Sequence, residues 1–299
     1  MPRWRSSDGL ALVAVLCGAC GSGEIESETS ADAAPPAGAA DDPDPDPEED
    51  VPAGAVDVEL PVAGDAPWTE TGVEVARGDL VWLETSGTIF LNDTTEVGPA
   101  GYAADEHDSY NVVPCADHAS LIGGIGDPAS PFALGDVGWL LAPRSGPLSF
   151  GPNDSDVGNN KGLFQVHLRS PVAVEVIDER SAAIPATDGW VDTGVDVTEG
   201  DLIAITADGQ VDDYTPSPET TWGPTGVPDT PDRPASILKC ANHESLIGRV
   251  GDAGAPFYVG ADLSRLAPAT GRLFLSVNDS VVTDNAGKLS ASILVARAP

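Results

Sequence analysis

Trp68-Thr69-Glu70-Thr71-Gly72-Val73 returns as Trp190-Val191-Asp192-Thr193-Gly194-Val195, an offset of 122 residues. Gly78-Asp79-Leu80 returns as Gly200-Asp201-Leu202 at the same offset. Further along, Gly98-Pro99-Ala100-Gly101 matches Gly223-Pro224-Thr225-Gly226 at an offset of 125, so the second copy holds three extra residues between Gly209 and Trp222. The offset then stays at 125. Cys115 matches Cys240, Leu121-Ile122-Gly123 matches Leu246-Ile247-Gly248, and Gly126-Asp127 matches Gly251-Asp252. Ala142-Pro143 matches Ala267-Pro268, and Asn153-Asp154-Ser155 matches Asn278-Asp279-Ser280. Two copies of about 115 residues are too long for solenoid units and too few for an array. They read as two homologous domains, at 58–170 and 178–297, with a short connection at about 171–177.

Each copy has the pattern of an all-β domain. Phe164-Gln165-Val166-His167-Leu168 alternates with period two, as do the first five residues of Leu289-Ser290-Ala291-Ser292-Ile293-Leu294-Val295. Leu80 to Leu83, Ile89 to Leu91, Leu202 to Ile205 and Leu273 to Val277 are short apolar strands separated by Gly, Pro, Asn and Asp. No helical period survives for ten residues. Short strands with turn-rich punctuation predict a β-sandwich or jelly roll.

The chain as a whole is acidic, with 14 Lys and Arg against 48 Asp and Glu in 299 residues, a formal charge of −34. Scattered basic residues in that number exclude a large nucleic-acid surface, which needs clustered Lys and Arg to neutralise phosphates. An apolar fraction of 41% is enough to build cores. Residues 1–20 have the form of a bacterial export signal: Arg3 and Arg5, the apolar run Gly9 to Leu16, then Leu16-Cys17-Gly18-Ala19-Cys20. The small residues before Cys20 resemble a lipobox, with Leu16 one position further from the cysteine than usual, so Cys20 is the expected lipidation site. The mature chain is then expected to be exported and lipid-anchored to a bacterial membrane, at the outer membrane or cell surface, or else secreted. Residues 21–57 carry twelve Asp or Glu, no Lys or Arg, and the run Asp42-Pro43-Asp44-Pro45-Asp46-Pro47, the composition of an extended disordered spacer.

The chemistry concentrates near the end of each copy. Asn153-Asp154-Ser155-Asp156-Val157-Gly158-Asn159-Asn160-Lys161-Gly162 corresponds to Asn278-Asp279-Ser280-Val281-Val282-Thr283-Asp284-Asn285-Ala286-Gly287. Strands flank each segment, so both are tight, oxygen-rich loops. Carboxylates, side-chain amides and freed backbone carbonyls are the hard-oxygen set that calcium takes, at about six to eight ligands. Such clusters also simply make turns. Duplication favours the ion, because a turn alone need not keep Asn-Asp and a second Asn/Asp-Asn at one separation in both copies.

In this order, the motifs resemble those of the PA-IL-like galactophilic lectins of bacteria. The resemblance covers nearly all of each repeat, from the Gly-Asp strand start through Gly-Pro-x-Gly, the cysteine, Leu121 to Gly126 and Leu246 to Gly251, the Ala-Pro pair and the final loop. It implies a galactose-binding-like jelly-roll sandwich in each domain and one calcium ion that directly coordinates two neighbouring sugar hydroxyls. The family's loop carboxylate falls on Asp154 and Asp279, and its paired amides on Asn159 and Asn160 and on Asp284 and Asn285. A loop carbonyl falls on Thr283 or its neighbour and on Val157 or Gly158. An upstream carbonyl falls near Asp213 and near Leu91 or Asn92. Sugar contacts would then involve Asp154, Asn159, Asp279 and Asn285. The family's outer specificity positions land on Thr230 and Arg233, and on Asp105 and Asp108, which are not the His and Gln of the family. Recognition of a vicinal diol on a surface glycan or polysaccharide carries over, while galactose preference does not.

Alternative chemistries are weaker. His118 and His243 are repeat-equivalent, as structural positions are, and no His-x3-His or paired-cysteine motif suggests zinc. Asp154-x-Asp156 resembles an EF-hand opening, but Gln165 replaces the closing Glu and strands replace the helices. Every strong motif is duplicated, whereas a single active site is usually not, so the expectation is a binding protein and not an enzyme. Cys115 and Cys240 are expected to be buried small hydrophobes, with a bridge between the domains as the alternative.

Overall fold

In the strand Lys161–Val172, period-two alternation sends Phe164, Val166 and Leu168 into a core while Lys161 and Gln165 stay in solvent. The same logic builds the rest of the chain. The computed structural model describes residues 55–92, 94–102, 109–126, 130–136, 138–212 and 221–299. The signal segment with Cys20, nearly all of the acidic spacer, and Asp105, Asp108 and Asp213 lie outside them. No helix among the described residues is long and apolar enough to cross a membrane.

The first domain contains β1 (Val56–Ala63), β2 (Thr69–Val75), β3 (Leu80–Leu91), β4 (Thr95–Val97), β5 (Leu121–Ile125), β6 (Phe132–Ala133), β7 (Trp139–Leu141), β8 (Gly146–Pro152) and β9 (Lys161–Val172). One antiparallel sheet runs β1-β9-β3-β4 with β7 also on β3, and the other runs β2-β8-β5-β6. The second domain contains β10 (Glu175–Pro185), β11 (Val191–Val197), β12 (Leu202–Asp212), β13 (Leu246–Val250), β14 (Phe257–Tyr258), β15 (Asp262–Leu266), β16 (Gly271–Val277) and β17 (Ala286–Arg297). Its sheets run β10-β17-β12-β15 and β11-β16-β13-β14. Each pair of sheets closes on its own apolar core, with Leu121, Phe150 and Phe164 in the first and Leu246, Leu275 and Ile293 in the second. The chain is all-β and forms two sandwiches, as the alternation requires.

Three details depart from the sequence expectations. The spacer gives way to β1 at Val56, before residue 57. Asp57 sits opposite Arg169 in the ladder, and its hydrogen bond with His167 holds its carboxyl below the usual carboxylate range. The connection between the domains is only residues 173–174, because β9 extends to Val172 and β10 begins at Glu175. Cys115 and Cys240, expected to be buried separately, form a disulfide that joins the two domains.

The domains share a third apolar cluster of Leu80, Leu141, Leu202, Ala204, Leu294 and Ala296. On β12, Ile203 and Ile205 face the second domain's core while Leu202 and Ala204 face this seam. Polar contacts cross it as well. Arg144 donates from Nε and Nη2 to Asp262 Oδ1 at 3.0 and 2.8 Å. Thr206 Oγ1 donates to the same oxygen, and Leu141 N donates to Ser264 Oγ.

Candidate functional site

Both oxygen-rich loops bridge a strand of one sheet to a strand of the other. Residues 153–160 connect β8 to β9, and residues 278–285 connect β16 to β17. The first Asn of each loop is fully buried and works as a clamp. Asn153 Oδ1 accepts from Val113 N at 2.7 Å, while its Nδ2 donates to the carbonyls of Val113, Ala116 and Asp117. Asn278 repeats this on Leu238 N at 2.8 Å and on the carbonyls of Leu238, Ala241 and Asn242. Every partner is shifted by 125 residues, so the clamp is a property of the repeat. It holds the cysteine-bearing segment of each domain against the loop. From one clamp to the other the path runs through the disulfide, so Asn153 and Asn278 lie within about 30 Å of each other.

The next residue in each loop is a buried carboxylate. Asp154 and Asp279 are each 3% exposed, and one oxygen of each accepts the backbone N–H two residues on, from Asp156 and Val281. Asp154 has no cationic side chain beside it among the described residues. At the far end, Asn160 Nδ2 donates to Gly64 O at 3.2 Å and to Asp154 Oδ2 at 2.9 Å. Asn285 Nδ2 donates to Ala186 O, the repeat equivalent of Gly64. With the amide nitrogens committed to carbonyls, Oδ1 of Asn160 and Oδ1 of Asn285 remain buried without a hydrogen-bond partner. A buried, unsatisfied oxygen costs about 1–3 kcal/mol, and here the cost recurs at one position in both copies. A buried carboxylate next to an unsatisfied amide oxygen is donor chemistry that suits a hard cation. Among the described residues no three His, Cys, Asp or Glu side chains gather as a metal cluster.

Part of the chain is similar to a solved structure described as the EclA N-terminal domain, a PllA-like lectin. That similarity covers 40% of this chain and 98% of that one, at 26% identity and a TM-score of 0.32. No family model matches the sequence, and no curated protein matches it.

The remaining expected ligands occupy different settings. Gly158, Asn159, Thr283 and Asp284 are exposed along the rim of the loops, and Asn159 Nδ2 donates to Asp156 Oδ2 at 3.3 Å. The upstream strand reaches each loop, since Phe90 pairs with Lys161 and Asp212 with Ala286, the residues that follow Asn160 and Asn285. Thr230 lies beside the second loop, but its hydroxyl donates to Val227 O and accepts from His243 N, so it builds the turn. Arg233 is half-buried, and its carbonyl takes hydrogen bonds from Ser236 N and Lys239 Nζ.

The two equivalent histidines adjoin the loops. His118 Nδ1 meets Asn111 Oδ1 at 2.8 Å, and His243 Nδ1 meets Ser236 Oγ at 3.1 Å. His243 Nε2 lies 3.8 Å from Asp279 Oδ2. Ser, His and Asp are the residue types of a nucleophile–base–acid relay. Yet Ser236 is only 4% exposed, and the first domain has Asn111 in its place, so the contact orders the loop. Sequence reasoning missed the clamping role of Asn153 and Asn278; their duplication was the available signal.

Proposed function

We propose that the chain is a calcium-dependent carbohydrate-binding protein with one site in each domain. Support comes chiefly from the unsatisfied Oδ1 of Asn160, whose amide also bonds the buried carboxylate Asp154, and from its repeat in the unsatisfied Oδ1 of Asn285, in the loop that holds the buried Asp279. Asp154, Asn159 and Asn160 would hold the ion in the first domain, and Asp279, Asp284 and Asn285 in the second. Backbone oxygens near Gly158, Thr283, Asp213 and Leu91 would add to them. When bound, calcium supplies a Lewis acid with coordination positions open to two neighbouring hydroxyls. Asn153 and Asn278 keep the carboxylate end of each loop in place, and Gly64 and Ala186 fix the amide end. The rim residues Asn159 and Asp284, exposed to solvent, are within reach of a sugar. A lipid on Cys20 would hold both sites at a membrane surface, and the acidic spacer would set them away from it.

A second proposal has the ion only fasten each loop, and the clamp onto the cysteine segment favours it. Calorimetric titration of the chain with calcium is expected to show two events near 10⁻⁴ to 10⁻³ M, the tighter one assigned to the loop with Asp284. Absence of heat ends the calcium proposal. Glycan-array binding that disappears with chelator supports sugar recognition, whereas calcium binding with a blank array leaves the fastener.

A further inference from the structure

Three aromatic side chains of the first domain are strongly exposed: Tyr110 at 51%, Tyr102 at 45% and Phe90 at 37%. All three attach by their backbones to the first loop or its clamp. Tyr110 O accepts the amide of Ser155, the residue after Asp154, at 2.8 Å. Tyr102 N donates to His118 O, between Asp117 and Ala119, which both bond Asn153. Phe90 pairs with Lys161, the residue after Asn160.

The second domain repeats these backbone contacts without the rings. Ser280 N donates to Ala235 O, Val227 N donates to His243 O, and Asp212 pairs with Ala286. Tyr110, Tyr102 and Phe90 are thus Ala235, Val227 and Asp212 in the second copy. Among the described residues, its aromatic residue at the corresponding turn is Trp222, which stands where the first domain has Val97. Trp222 is half-buried and bonded into the ladder through Val211. Folding does not require aromatic residues at these positions, because the second domain adopts the same connections without them.

We propose that Tyr110 and Tyr102, which are Ala235 and Val227 in the second copy, form an aromatic subsite at the first loop for the C–H face of a pyranose ring. This rests on the calcium-dependent sugar binding proposed for the loop. A sugar whose diol is directed at the ion presents ring C–H groups elsewhere, and an exposed aromatic face removes them from water at little entropic cost. The first domain then prefers sugars with a continuous C–H face.

The test uses the full chain carrying Asp279→Ala, which silences the second loop. Methyl glycosides of galactose, fucose, mannose and glucose serve as probes, so that the ring itself is the stacking surface. Affinity is measured by saturation-transfer NMR in calcium. Tyr110→Ala and Tyr102→Ala are each expected to weaken binding about 3- to 10-fold, with the calcium titration unchanged as the control for an intact loop. Tyr110→Phe should retain the affinity. Unchanged sugar affinity in the double Tyr→Ala variant overturns the subsite while sparing calcium-dependent recognition. No binding of any probe to the unsubstituted chain in calcium overturns both.

Discussion

Each loop contains asparagines with opposite roles, and the roles follow from distant partners. Asn153 spends both ends of its amide on the segment 113–117, about 40 residues away, whereas Asn160 commits its nitrogen to Gly64 and leaves an oxygen over. Asn153→Ala should therefore destabilise the first domain by about 2–4 kcal/mol, because a buried N–H and several carbonyls lose their partner together. Urea unfolding with and without calcium measures this, and a cost under about 0.5 kcal/mol would contradict the clamp. The oxygen-rich character of these loops was legible from Asn-Asp-Ser and Asn/Asp-Asn at a repeated separation. The division of labour was not, since residue identity says nothing about which amide meets a backbone 40 or 96 positions away.

At the level of strands, the glycine closing each loop motif has a steric reason. Gly287 adopts φ +83°, and a Cβ there would lie 2.3 Å from Gln210 O on β12; Gly162 meets Thr88 O at 2.6 Å. The strand leaving the loop is thus pressed onto its neighbour two residues after the unsatisfied asparagine. Gly287→Ala should cost roughly 2 kcal/mol or more through combined strain and clash, and should weaken calcium binding in the second domain alone. Thermal unfolding and calcium titration together check it; wild-type values in both would show that the strand can give way. Alternation in β9 and β17 makes the all-β architecture legible in the sequence. The apolar runs Leu80 to Leu83 and Leu202 to Ile205 carried a further signal, because strands buried on both faces lose their alternation. What covers the second face is the other domain, and one strand's sequence does not name its partner.

Across the whole molecule, the seam unites the two sandwiches. Asp262 has no exposed side-chain surface and takes three hydrogen bonds from Arg144 and Thr206. Arg144→Ala should cost about 3 kcal/mol, because it leaves a buried carboxylate without its cation. Arg144→Met with Asp262→Leu should recover most of that loss, as apolar replacement of a buried pair often does. Denaturation of the single and double variants decides it, and equal losses in both would show that the pair holds the seam in a way apolar packing cannot replace. The disulfide, the two-residue connection and this seam have one more consequence. The two loops cannot drift apart like beads on a string, so they behave as the jaws of a caliper set at one opening. On the function proposed above, ligands spaced to match that opening would engage both jaws with little further loss of freedom. Sparser ligands would engage one, which would make the density of a coated surface a threshold and attachment a sharp function of crowding.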